Sequence, residues 1–233
     1  MNKIEFTDKN GTFRIHNPEN YSGLYLPLAG ETGLKSSITP NLGGDSKTDQ
    51  NHFLLEPVSI ENLHNNSNTR NFCCRIENKG CWSVCGSSAK QEAAKFTKDQ
   101  DESILEAGFM WQRLTRISRE YEMKAETTSF VTIDGTMEVM MTELTNTADQ
   151  EQKITPVAVI PLYGRSADNI RDHRHVTSLL HRIETKTYGV EVCPVLSFDE
   201  RGHQKNQTVY FVYGSTGEGE APEKFYPTTE MFI

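Results

Sequence analysis

The sequence predicts an all-β fold, built as an antiparallel sandwich. Glu122 to Ile133 (EMKAETTSFVTI) alternates apolar and polar residues and is rich in β-branched and aromatic side chains, the pattern of a half-buried strand. Asp134-Gly135 follows, and MEVMMTEL then resumes the alternation. The two runs read as a hairpin closed by a tight turn with positive φ at both central residues. Helix-period apolar spacing is short everywhere, which leaves strands and polar turns as the repeating unit.

The elements follow in chain order. Tyr21 to Leu63 is dense in Gly, Pro, Asn and Ser and is expected to form long ordered loops. Within it, Gly43-Gly44-Asp45 offers backbone amides to an anion. No Gly-Lys-Ser/Thr follows, so a tight turn is expected there instead. Gln91 to Asp101 (QEAAKFTKDQD) is the one segment with the character of a brief helix or charged loop. Thr145 to Lys153 is a polar turn, and ITPVAVIPLYG after it is a strand apolar on both faces at its centre. Val176 to Glu184, Tyr188 to Val195 and Gln207 to Tyr213 complete the strands, and Gly217 to Pro222 is a flexible turn. The closing residues, EKFYPTTEMFI, lack a tail-like composition, so the sandwich is expected to be incomplete at its C-terminus.

The chain has 233 residues, 36% hydrophobic and 24% charged, enough to bury a core without crosslinks. No linker divides it, so residues 1–233 are expected to form a single domain. The net charge of −8 argues against nucleic acid or an anionic membrane as the main partner, since both require a basic face. No apolar run has the length of a signal peptide core or a bilayer span, and a cytoplasmic location is expected. Five cysteines, an odd count without framework spacing, suggest reduced thiols. Cys73, Cys74, Cys81 and Cys85 are close enough in sequence to suggest zinc. Their CC and C-x-x-x-C spacing lacks paired knuckles, so buried or half-buried thiols are expected, with no metal and no cofactor. Trp82 and Trp111 are read as core residues rather than sugar-stacking platforms.

The densest polar stretch is RSADNIRDHRHVTSLLHRI, Arg165 to Ile183. His173 and His175 share a strand face, but Arg171 and Arg174 among them disfavour a divalent cation. Guanidinium forks suit phosphate, carboxylate or vicinal hydroxyls, and Asp168, Asn169 and Asp172 add acceptors. Arg165, Asp168, Arg171, Asp172, His173, Arg174 and His175 are therefore candidates for a carbohydrate- or anion-binding cluster, or equally for an Arg–Asp network at an interface. No residue is marked by spacing as a catalytic acid, base or nucleophile.

Four segments carry a family resemblance: LAGETGLKSSITPNLGGDSKTDQNHFLLEPVSIENLHN, EAGFMWQRLTR, PLYGRSADNIRDHRHVTSLLHRI and PVLSFDERGH. In that order, from about Tyr21 to the end, the chain resembles the N-terminal region of bacterial 1,2-β-oligoglucan phosphorylases, members of glycoside hydrolase family 94. Related segments occur in cyclic β-1,2-glucan synthases. The resemblance implies a β-supersandwich of galactose-mutarotase type, followed in the family by an (α/α)6 barrel that carries the general acid and most of the phosphate site. The family's reaction is reversible, inverting phosphorolysis of a β-glucoside. With no barrel in this sequence, the expected role is non-catalytic: glucan binding, packing against an (α/α)6 domain in cis or trans, and homodimerisation. The alternatives are a free-standing carbohydrate-binding module or a truncated gene remnant.

Overall fold

The computed structural model describes residues 4–21, 24–49, 52–55, 70–162, 181–199, 202–205 and 207–226. Strand makes up 47% and helix 5%, in antiparallel sheets with no closed barrel, so the fold is all-β and sandwich-like. Among the described residues no helix is long and apolar enough to cross a membrane. The chain divides into two compact units, residues 1–46 with 58–161, and residues 47–57 with 162–233.

In the first unit, β1 (Glu5–Phe6), β2 (Phe13–His16), β8 (Glu102–Gly108), β9 (Trp111–Ser118), β10 (Met123–Val131) and β11 (Glu138–Asn146) form one six-stranded sheet in that order. Alternation decides its faces. On β10 the residues Met123, Ala125, Thr127, Ser129 and Val131 are buried, and the intervening ones are half-buried. Two smaller sheets complete the unit. One is β3 (Leu26–Ala29), β4 (Lys35–Ile38) and β5 (Ser46–Lys47); the other is β12 (Ile154–Val159), β6 (Asn71–Ile76) and β7 (Gly80–Ser83). Leu28, Ile38, Cys74, Ile76, Trp82, Leu114, Met123 and Val131 share one buried cluster, against which Phe72, Met140, Leu144 and Ile154 pack. Each large apolar side chain so enclosed contributes about 1.5–3 kcal/mol. Pro27 and Pro156 lie on β3 and β12, each at a sheet edge, where a missing N–H interrupts no ladder.

Three expectations are corrected here. The Gly/Pro-rich first third is not all loop, because β3, β4 and β5 lie within it. The β10–β11 hairpin forms, but its turn is not a two-residue one. Val131 pairs with Glu138, the Thr132 amide donates to the Met137 carbonyl at 3.0 Å, and neither Asp134 nor Gly135 has positive φ. The helix, α1 (Ala89–Ala94), begins before Gln91. Ser88 caps it: its hydroxyl accepts from the Gln91 amide, and the Gln91 side chain accepts from the Ser88 amide. The helix stops short of Asp101, with Phe96 in the left-handed region at φ 63°.

In the second unit, β13 (His181–Lys186), β14 (Gly189–Pro194) and β17 (Tyr210–Tyr213) form a sheet, and β15 (Leu196–Asp199) pairs with β16 (Gly202–Lys205). Val192 and Tyr210, opposite each other in register, are its buried centre.

Candidate functional site

The polar cluster Arg165, Asp168, Arg171, Asp172, His173, Arg174 and His175 lies outside the described residues, as does Val176 to Leu180 of the strand expected after it. The later part of that strand is β13.

The Gly43-Gly44-Asp45 turn has the polarity opposite to an anion cradle. It presents carbonyl oxygens, and they converge on Arg70. The Arg70 guanidinium donates to Leu42 O at 3.3 Å, Gly43 O at 3.2 Å and Asp45 O at 3.0 Å, and to Ser36 Oγ at 3.1 Å. It also forms a two-pronged pair with Glu138, Nε to Oε1 at 3.0 Å and Nη2, shared with Ser36 and Asp45, to Oε2 at 3.2 Å. Burial pulls the guanidinium down from its usual range, against the opposing pull of Glu138 and Asp45. Gly44 makes the turn possible: φ is +111°, and a Cβ there would penetrate the Ser37 carbonyl oxygen.

A second buried ion pair joins Arg116 on β9 to Glu19 at 3.2 Å, with the side chains 3% and 6% exposed. Burial alone would raise the Glu19 carboxyl. Arg116, with the Ser103 hydroxyl at 2.5 Å and Gln100 at 3.2 Å, reverses this and holds it below the usual carboxylate range. Nearby, Asp101 accepts from Trp82 Nε1 at 2.9 Å and from Gln91 Nε2 at 2.7 Å. The cleft between these groups encloses about 10 Å³, room for one water. Both carboxylates are occupied by donors, so this is a clamp holding the η-turn Pro18–Asn20 and the α1 region to β9 rather than an acid–base pair.

The two tryptophans differ. Trp82 is core, as expected, with 0% exposure. Trp111 is not: it is half-buried on the outer face of the six-stranded sheet. There it faces Gly108 in register, and the indole fills the place a side chain at 108 would take. Nε1 is 2.5 Å and Cε2 2.8 Å from where a Cβ would sit. Phe130 and then Val139 continue the row across β10 and β11. The next row is polar. Glu5, Arg14, Glu106, Arg113 and Thr128 stand opposite one another in turn, with Arg14–Glu106 paired at 2.6 Å and Arg113 Nε donating to Thr128 Oγ1 at 3.2 Å. An apolar aromatic row thus borders a row of alternating charge on one partly exposed face. Sequence reading missed this because it treated Trp111 singly; the glycine three residues earlier was the available signal.

The cysteines separate by face. Cys74 points into the core, where burial pushes its thiol up to about 11. Cys73 and Cys81 lie on the opposite face of β6 and β7, and Cys85 is bonded to Ser83 Oγ at 3.2 Å and Ser87 Oγ at 3.1 Å. Among the described residues no three His, Cys, Asp or Glu side chains are grouped to hold a metal ion. In the second unit, Tyr188, Tyr213 and Gly214 line an open hollow of about 330 Å³, and the Tyr213 hydroxyl donates to Glu191.

Comparison with protein-family models and with curated proteins returns no match.

Proposed function

We propose that this chain is a non-catalytic, carbohydrate-binding β-sandwich, the supersandwich portion of a β-glucan phosphorylase of the glycoside hydrolase family 94 type. Its ligand is a β-linked glucan oligosaccharide, and its partners are an (α/α)6 catalytic domain and a second copy of itself. The reading rests on the four sequence segments that resemble that family, and on one structural observation. Trp111 lies over Gly108 on the outer sheet face, where an indole can offer a ring surface to the apolar C–H face of a pyranose. The bordering Arg113, Glu106, Arg14 and Thr128 supply the donors and acceptors that sugar hydroxyls need.

Titration calorimetry with 1,2-β-glucan oligosaccharides tests this. Binding is expected, and Trp111→Ala should weaken it about tenfold, the equivalent of ~1.4 kcal/mol of lost stacking. Because Trp111 is half-exposed, the variant should stay folded. Wild-type protein that binds no oligosaccharide, or a folded Trp111→Ala protein with unchanged affinity, overturns the reading.

A further inference from the structure

The β6–β7 hairpin carries a feature that glucan binding does not use. Cys73 faces Ser83 and Arg75 faces Cys81, so on this face Cys73 and Cys81 are diagonal neighbours and Cys81 stands directly across from a guanidinium. The diagonal register sets the two thiols near enough for each to shift the other's titration, Cys73 upward and Cys81 downward. Their environments differ. Cys73 is 8% exposed, whereas Cys81 is half-exposed. A small solute therefore reaches Cys81 first.

We propose that Cys81 and Cys73 form a peroxide-responsive thiol pair, in which Cys81 is the attacking sulfur and Cys73 the resolving one. The physical asymmetry runs the right way for those roles. The nearby Cys73 lowers the Cys81 thiol against the opposing effect of burial, and Arg75 lowers it further. The proximity of Cys81, then burial, then the charge on Cys81, keep Cys73 protonated. In the first step the Cys81 thiolate attacks a peroxide oxygen. An S–O bond forms, the O–O bond breaks, and hydroxide leaves. Cys81 is now a neutral sulfenic acid, so the charge that held the proton on Cys73 is gone. Cys73 loses that proton to the hydroxide and attacks the Cys81 sulfur, forming the S–S bond and expelling the sulfenic oxygen as a second hydroxide, which takes up a proton from solvent. In sum, two thiols and one hydrogen peroxide give one disulfide and two waters. Diagonal neighbours stand about 7–8 Å apart, past the ~6.8 Å a relaxed disulfide spans, so the hairpin must draw together slightly as the bond closes. The bond is therefore expected to yield readily to dithiol reductants.

The test uses the full chain, reduced and then treated with hydrogen peroxide near equimolar, quenched with N-ethylmaleimide and mapped by mass spectrometry. Wild-type protein should lose about 2 Da as a Cys73–Cys81 crosslink that dithiothreitol reverses. In Cys73→Ser protein, Cys81 should instead take up dimedone, the mark of an unresolved sulfenic acid. Before oxidation, Cys81 should react with the maleimide roughly tenfold faster than Cys193, a half-exposed thiol that controls for access. A wild-type protein that forms no such crosslink, one that links a different pair, or equal labelling rates at Cys81 and Cys193 would overturn the proposal. The wild-type measurements stand even if the variant fails to fold.

Discussion

Replacing Glu138 with alanine is the sharpest probe of how the first unit is held together. Arg70 and Glu138 are 9% and 11% exposed and make a two-pronged contact, with the Asp45 carboxylate acting on the guanidinium as a second, weaker charge. Breaking a buried pair by removing one side costs about 3–5 kcal/mol, because the other charge stays buried. Arg70 keeps four acceptors after the change, three carbonyls and Ser36 Oγ, which places the loss toward the lower end. At about 2–4 °C per kcal/mol for a chain of this size, the melting temperature should fall by ~10 °C. Glu138→Gln, which keeps an acceptor without the charge, should fall between. The Arg70→Met, Glu138→Met double variant should not recover, since it strands the carbonyls of Leu42, Gly43 and Asp45 in the interior. Urea unfolding followed by tryptophan fluorescence measures each loss. A Glu138→Ala loss below ~1 kcal/mol would mean the pair behaves like a solvent-exposed one, and the reasoning would fail.

Two further outcomes are expected. Gly44→Ala should cost at least ~2 kcal/mol in the same unfolding assay, since φ of +111° and the Ser37 carbonyl both exclude a Cβ; a near-neutral substitution would show that the turn relaxes freely. Glu19 has a lowered folded-state pKa, so its pairing with Arg116 stabilises fully above the ordinary carboxylate range and is lost as pH falls through the lowered value. Wild-type stability should therefore drop more steeply than that of Glu19→Gln on going from neutral to acid pH, and parallel curves would refute the assignment.

Strand residues whose alternation is strong were legible from the sequence. Glu122 to Ile133 became β10 almost residue for residue, because period-two burial leaves a pattern that no other element reproduces. The β10–β11 turn was misread because Asp-Gly is a local signal, whereas the register is decided by Val131 opposite Glu138, and Glu138 is held by Arg70, 68 residues away. The tight turn expected at Gly43-Gly44-Asp45 forms, but what its carbonyls face was not legible, because their partner Arg70 is a buried cation from elsewhere in the chain. β3 and β4 were hidden by their composition. LPLA carries a proline and KSSI a single apolar residue, so neither announces a strand, and pairing with each other decides the matter. Of the candidate site, the aromatic face came from register, which places Gly108, Trp111, Phe130 and Val139 in one row although 31 positions separate the first from the last.

Pro27 and Pro156 have a consequence for the sheet edges on which they lie. Both small sheets end in a strand that carries a residue unable to donate a backbone hydrogen bond. A foreign strand aligning along β3 or β12 would meet a gap in the ladder within four to six residues, too short a run for a stable cross-chain sheet to grow. Among the described residues, those two edges are thereby poor templates for runaway β-stacking with a foreign strand.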